Sequence, residues 1–359
     1  MRVAIIGCGL IGRKRALAVG ADERLVACCD TDAEAAFKLA DEFSCDPFQN
    51  HRALLRDTET EVVIVSVVNK FAREVVLDAL ACGKHVLVEK PLGRNVREAA
   101  EMAAHAATGS RAVQGEAPGR GDGSCVADHG SETSRPLLKV GFNHRFHPAI
   151  WKARAVCESG GIGRVFSIRA RYGHGGRPGL EREWRASKDL CGGGELLDQG
   201  VHVIDLVRWF GGEIAEVYGR VETHFWPMEV EDNAYGIMKT THDVTAAFHV
   251  GWTNWKNIFS FEIFGTEGYL RAEGLGGSYG RESLEFGRRR KAGGAPDIEH
   301  EVFPAEDVSW SEEWKAFLSA IRGTGAALGD AVDGLRAHEV VEALYASSET
   351  GRVVKTDEA

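Results

Sequence analysis

No run in this 359-residue sequence approaches the roughly 20 consecutive apolar residues that span a bilayer. It also lacks a secretory leader pattern at its start, so a cytoplasmic location and no membrane partner are expected. An excess of cations is missing too. Forty-three Lys and Arg stand against 53 Asp and Glu, a net charge of −10, which argues against nucleic acid as a partner. The eight cysteines show no metal-ligand spacing, so no metal site is expected. Cys28 and Cys29, adjacent in a predicted strand, read as buried apolar residues, and reduced thiols suit a cytosolic protein. No internal repeat is evident. What is there is ordinary soluble composition, 44% hydrophobic and 27% charged, at a length that suits two domains.

The opening residues run as a short apolar strand into Gly7-Cys8-Gly9-Leu10-Ile11-Gly12, a G-x-G-x-x-G directly after a strand and opening a helix. Gly7 permits the tight turn, Gly9 lets backbone approach a pyrophosphate, and Gly12 lets helix and strand pack closely. The helix N-terminus then offers free N–H groups and a positive dipole end to phosphates. A second strand, Leu25–Cys29, ends in Asp30, 18 residues after Gly12, where a ribose-binding acid is expected. A carboxylate there accepts from both ribose hydroxyls and repels a 2′-phosphate, and Thr31 and Asp32 add no cation, so NAD is favoured over NADP. Arg13-Lys14-Arg15 reads as a solvated basic turn, with a phosphate contact as the alternative, and Cys8 as a small filler.

From residue 1 to 142 strands and helices alternate. Strands are expected at 2–6, 25–29, 62–67, 85–88 and 137–142, and helices near 12–19, 33–42, 71–82 and 96–107. Val62-Val63-Ile64-Val65-Ser66-Val67 is nearly continuous apolar and β-branched, the mark of a strand buried on both faces. Alternating βαβ units predict a doubly wound parallel sheet, a Rossmann domain spanning 1–142. Residues 108–136, with six glycines and four serines, read as a flexible insertion. A second domain over 143–359 begins with a helix at 148–158 and a strand at 165–171. Strands follow near 216–224, 234–240, 245–252, 258–264, 269–272 and 283–286, predicting an α/β domain with a large, mostly antiparallel open sheet. Arg288-Arg289-Arg290-Lys291 reads as an exposed loop, and helices at 311–322 and 335–349 end the chain.

Between these strands lies GGGELLDQGVHVIDLVRWF, residues 192–210. Leu196, Leu197, Val201, Ile204, Val207 and Phe210 recur at helical spacing, and Asp198, His202 and Asp205 fall within roughly 60° of one another on the helix. Ionisable groups on an apolar helix need partners or a task. Asp205 would orient His202 or cap a structural contact. Strand 85–88 ends in Glu89-Lys90-Pro91 at a carboxyl end of the sheet, where open α/β folds bind ligands. Pro91 is a candidate cis residue. Lys90 alone would pass for a surface lysine, but there it could stabilise a forming alkoxide.

These motifs together resemble the glucose–fructose oxidoreductase, inositol dehydrogenase and rhizopine-catabolism (Gfo/Idh/MocA) oxidoreductases. The resemblance rests on GCGLIG (7–12), GKHVLVEKPL (83–92), VGFNHRFHP (140–148) and WRASKDLCGGGELLDQGVHVIDL (184–206), and spans nearly the whole chain. It implies that Lys90, Asp198 and His202 meet at a nicotinamide. It also implies that the second domain's sheet assembles a homodimer or homotetramer. Such proteins often carry T-P-N-x-x-H after the fourth strand, where this chain has Val67-Val68-Asn69-Lys70-Phe71-Ala72. Asn69 is kept; the Pro and His are not.

The expectation is an NAD-dependent dehydrogenase moving a hydride between a secondary alcohol of a sugar, cyclitol or sugar derivative and the nicotinamide. His202 is the general base, Lys90 stabilises the alkoxide, and Asp198 hydrogen-bonds substrate and supports the imidazolium. Gly7, Gly9, Leu10, Ile11, Gly12, Asp30, Asn69, Glu89 and Lys90 are candidate cofactor contacts. Asn143, Arg145, His147, Trp184, Arg185, Asp198 and His202 are candidate substrate contacts, Arg145 and Arg185 as forks for an acidic group or as salt bridges. Trp226, Trp252 and Trp255 are a stacking wall or packing, and Tyr172, His174 and Arg177 lie in an expected Gly-rich closing loop. Two rivals share the scaffold: a glycoside hydrolase using bound NAD transiently, and a non-catalytic NAD-binding regulator.

Overall fold

The structure, a computed structural model, describes residues 1–108 and 135–357. All but the ends of the expected 108–136 insertion lie outside the described residues. The chain divides into two compact units, Met1–Gly141 with Trp310–Leu335, and Phe142–Ser309 with Arg336–Ala359.

The first unit's sheet is parallel, in the order β3-β2-β1-β4-β5-β6, with β1 Arg2–Ile6, β2 Arg24–Cys29, β3 Asp46–Phe48, β4 Val62–Val65, β5 His85–Val88 and β6 Leu138–Val140. This is the doubly wound order with its switch point between β1 and β4. Every residue of β4 is buried, as its unbroken β-branched run demands. Helices α1 Leu10–Ala18, α2 Ala33–Phe43, α3 His51–Asp57, α4 Asn69–Ala81 and α5 Val96–Thr108 connect the strands. Sequence reading misses β3 and α3. β3 is only three residues long and contains Pro47, whereas α3 carries a readable start signal: the Asn50 side chain accepts from the backbone N–H groups of Arg52 and Ala53.

The sequence expectation is a boundary at 142 with all of 143–359 in a second domain; the first unit's opening stretch ends at Gly141. The chain comes back to the first unit at Trp310–Leu335. There Trp314, Phe317 and Leu318 are buried in one apolar cluster with Val3, Ile5, Cys28, Val62, Ile64 and Leu87 of the sheet. An amphipathic helix read from sequence shows that it has an apolar face but not which face it covers.

The second unit begins with α6 Pro148–Glu158, and the four-residue helix α7 Lys188–Cys191 precedes the glycine run. Its nine-stranded sheet runs β14-β13-β12-β11-β7-β10-β9-β8-β15. The strands are β7 Val165–Gly173, β8 Ile214–Glu222, β9 Asn233–Thr240, β10 Thr245–Gly251, β11 Ile258–Gly265, β12 Gly268–Glu273, β13 Ser283–Arg288, β14 Asp297–Val302 and β15 Val354–Lys355. Only β7 with β10 is parallel. β14 was not expected from sequence: it is exposed on both faces and carries no burial period. Helix α8 Val201–Gly211 lies on the sheet, with Phe210 against Phe261 and Gly211 against Val244. Helices α9 Ser309–Ile321 and α10 Ala331–Thr350 complete the chain.

Among the described residues no helix is long and apolar enough to cross a membrane. Cys8, Cys28, Cys29, Cys45, Cys157 and Cys191 are free thiols.

Candidate functional site

In the first unit the glycine loop is full on one side and open on the other. A Cβ on Gly12 would sit 1.9 Å from the Gly7 carbonyl oxygen, and one on Gly7, at φ +99°, 2.4 Å from that of Ser66. A Cβ on Gly9 would meet nothing within 4 Å. The loop thus requires two glycines for packing and leaves the third bare, which fits a pyrophosphate resting on it. Helix α1 starts without a side-chain cap, so its first N–H groups are available to an anion. Leu10, its first residue, is 73% exposed, whereas Gly12 is buried. The Asp30 carboxylate accepts from Cys8 N at 2.8 Å and Asp32 N at 3.0 Å, which fixes it at the loop's edge with lone pairs to spare for hydroxyl donors.

The basic turn at 13–15 is not uniformly solvated. Arg13 pairs with Glu42 at the surface, but Arg15 is 1% exposed, 4.5 Å from the Trp310 ring centroid and between two glutamates. Its Nε donates to Glu89 and its Nη1 to Glu313, both at 2.6 Å. Lys139 pairs with Glu313 from the other side at 3.3 Å. Glu89, expected as a cofactor contact, has its carboxylate in this ion network. Burial, helped by nearby Glu313, holds its pKa above the usual carboxylate range against the pull of Arg15. Lys90 follows directly, at the end of β5, and its peptide bond to Pro91 is cis. Asn69 begins α4 at the carboxyl end of β4.

In the second unit the three glycines before the helix are packing glycines. A Cβ on Gly194 would lie 1.9 Å from the Glu231 carbonyl oxygen, and one on Gly193 2.3 Å from the Tyr345 hydroxyl. Only backbone this close lets the buried Glu231 carboxylate accept from Gly194 N at 2.9 Å, Leu196 N at 3.1 Å and the Tyr345 hydroxyl at 2.8 Å. Burial raises the pKa of Glu231 despite these donors. Glu231 anchors the helix entrance, and no spacing rule in the sequence marks it.

The helix itself departs from the expected geometry. Leu196–Gly200 forms a π-turn before α8 begins at Val201. Such turns cluster at functional sites because they displace the side chains they carry. Asp198 and His202 both lie near Tyr172, whereas Asp205 is paired with Arg145. Asp198 is part-exposed, its Oδ2 3.4 Å from Arg185 Nε. Asp205 is fully buried and gripped by Arg145 through Nε at 2.8 Å and Nη2 at 2.5 Å. His202 is 3% exposed and stacked on His144, ring centroids 3.7 Å apart and tilted by 21°. Tyr172 and Phe142 stand edge-on to it at 6.2 Å. The hydroxyls of Tyr172 and Tyr279 are hydrogen-bonded, and Gln199 Nε2 donates to Tyr279 at 3.0 Å. Burial pushes the Tyr279 phenol up to about 12, so both tyrosines are neutral donors at physiological pH.

Several candidates are engaged by protein groups. Arg145 takes its salt-bridge alternative, with its guanidinium buried on Asp205. His147 is 2% exposed and held by Glu282 at 3.0 Å. Asn143 is buried, donating to Ser309. Trp252 is core, and Trp226 donates to its carbonyl; only Trp255 of the three is exposed. Tyr172 lies on β7 beside His202, not in a mobile loop, while His174 and Arg177 follow that strand. Trp184 and Arg185 stay near Asp198, the guanidinium 4.4 Å over the indole. Sequence reading passed over Tyr279 and the stacking of His144. A tyrosine in a Gly-rich stretch some 80 residues from Gln199 gives no periodic signal.

Comparison with known proteins agrees with this architecture. Residues 1–116 match the family described as an oxidoreductase family with an NAD-binding Rossmann fold, and residues 150–271 match the GFO/IDH/MocA C-terminal domain. The chain belongs to the Gfo/Idh/MocA oxidoreductases. It is 26% identical to levoglucosan dehydrogenase of Pseudarthrobacter phenanthrenivorans, over 75% of this chain and 73% of that one. It is 26% identical to D-glucoside 3-dehydrogenase of Escherichia coli, over 99% and 97%. The solved structure of a levoglucosan dehydrogenase in complex with NADH superposes with a TM-score of 0.83 at 21% identity, covering all of both chains.

Proposed function

We propose that this oxidoreductase is an NAD-dependent dehydrogenase that oxidises a secondary alcohol of an uncharged sugar or cyclitol. The observation carrying the reading is the His202 surround: a buried imidazole just after a π-turn, with Asp198 nearby in sequence and two neutral phenols in the same cluster. NAD, when bound, supplies the two-electron acceptor. His202 takes the hydroxyl proton, histidine being the side chain most often used as a general base. Asp198 holds a neighbouring hydroxyl and offsets the charge formed on the imidazole. Lys90 is assigned the role of favouring the ionised form of the substrate alcohol. Gly7, Gly9, Gly12 and the α1 N-terminus would hold the pyrophosphate. Asp30 would hold the adenosine ribose and favour NAD over NADP.

An uncharged substrate is supported by the arginines: Arg145 is paired with Asp205, and Arg185 stands between Asp198 and Glu183. The named activities of the similar dehydrogenases, on levoglucosan, D-glucosides and inositol, point the same way. Assembly as a homodimer or homotetramer through the second unit's sheet is supported by Phe166, Tyr218, Tyr235 and Ile237, all exposed on its strands.

A panel of cyclitols, aldoses, amino sugars and nucleotide sugars, with NAD or NADP, tests the reading through the absorbance of the reduced cofactor. Turnover with a neutral polyol and NAD is expected, falling about 10²–10⁴-fold in His202→Asn. Leaving-group release without accumulation of reduced cofactor would instead identify a glycoside hydrolase. Sedimentation of the purified protein as a monomer would remove the assembly.

A further inference from the structure

The His202 ring is covered on one face by another imidazole, and that second ring sits at the end of a hydrogen-bond chain whose direction can be deduced. The chain begins at a carboxylate. Ser309 Oγ donates to Asp307 Oδ1 at 2.6 Å, because a carboxylate only accepts. Asn143 Nδ2 donates to the same Ser309 oxygen at 2.9 Å. The Asn143 amide is thereby oriented, and its Oδ1, 3.2 Å from His144 Nδ1, must act as acceptor. His144 therefore carries its proton on Nδ1 and keeps Nε2 as its acceptor nitrogen. Of this chain, Asn143, His144 and Ser309 are buried. The ring it fixes is stacked on His202 at 3.7 Å and also faces Tyr172 at 5.0 Å, Phe259 at 5.8 Å and His147 at 5.6 Å, all edge-on.

Two rings stacked in this way present no N–H to each other, so His144 cannot pass a proton to His202. A neutral aromatic face beside an imidazole does something else: it holds the ring's plane, and it attracts the ring more once the ring is cationic. We propose that His144 is a positioning residue for His202, held in the Nδ1–H form by the chain Asn143–Ser309–Asp307 and supporting the base by stacking. The proposal rests on the reading of His202 as general base. No covalent or redox step is added; the proton from the substrate stays on His202.

The test uses the full-length protein with ring-labelled ¹⁵N histidine, His144→Phe and His202→Asn assigning the two rings by subtraction. His144 is expected with Nδ1 protonated and Nε2 bare, and Ser309→Ala is expected to shift that resonance towards a mixture of both tautomers. An Nε2–H tautomer in the unaltered protein, or one unmoved in Ser309→Ala, overturns the chain.

For the stacking role, His144→Phe keeps the aromatic face and is expected to keep kcat within about threefold on the polyol that the panel turns over best. His144→Ala is expected to lose about tenfold in kcat, equivalent to about 1.4 kcal/mol, with KM changed less than threefold. Equal losses in the two variants overturn it. Unaltered turnover in His202→Asn would defeat the base assignment instead, and would leave the tautomer result standing.

Discussion

Arginine at position 15 offers the sharpest test of how the first unit is held together. The change Arg15→Met keeps much of the aliphatic length and removes the guanidinium that Glu89 and Glu313 share at 2.6 Å each. Glu313 retains Lys139 at 3.3 Å, so the carboxylate left most exposed to the loss is Glu89, buried beside Glu313. Breaking one partner out of a buried pair costs about 3–5 kcal/mol, because the remaining charge has neither water nor a counter-ion. For a unit of this size that corresponds to a fall of about 6–20 °C in Tm.

The pH dependence has a definite sign. Burial already raises the Glu89 pKa in the folded protein, and removing Arg15 raises it further. A carboxylate with a raised folded pKa contributes stability that is complete below its unfolded value, about 4.3, and is lost as pH climbs through the folded one. The gap between Arg15→Met and the unaltered protein should therefore be wider at pH 8 than at pH 5.5. Thermal and urea unfolding at the two pH values measures it. A cost below about 1 kcal/mol, the same at both, would refute the reasoning and mean that the network is solvated in solution.

Three further outcomes follow from the loop and the second unit. Gly9→Ala should fold with Tm nearly unchanged yet weaken NAD binding at least about tenfold, whereas Gly12→Ala should destabilise the fold itself, since its Cβ meets backbone at 1.9 Å; thermal melts with fluorescence titration separate the two. Asp30→Ser should shift preference towards NADP, read as the ratio of kcat/KM for the two cofactors; an unchanged ratio would remove Asp30 from cofactor choice. Asp232 accepts from the backbone N–H groups of His224, Phe225 and Trp226 and from Asn233, and these donors outweigh burial to hold its pKa low. Its contribution is present above the usual aspartate range and lost as pH falls through its depressed value. Asp232→Asn should thus cost about 1.5–3 kcal/mol near neutrality and little in strong acid, by urea unfolding.

The parts of this protein legible in sequence are those where a local period or a short motif decides the structure. The glycine loop follows from close backbone approaches between residues a few positions apart, β4 from its β-branched run, and α8 from the recurrence of its apolar positions. The misread parts are decided by partners far along the chain. Arg15 looks like a solvated cation until Glu313, 298 residues later, comes back to it. Arg145 reads equally as a substrate fork or a salt bridge until Asp205, 60 residues later, takes it. Charge alone identifies a candidate for a buried pair; it does not identify the partner. The three glycines at 192–194 make the point from the other side. They announce a tight approach, and the approaching group, Glu231, lies in a segment with no motif. The π-turn that follows carries Asp198 and departs from the regular helix that the spacing assumes. A regular repeat can assign residues to a helix face, but where the helix is locally unwound the same spacing no longer predicts which side chains meet.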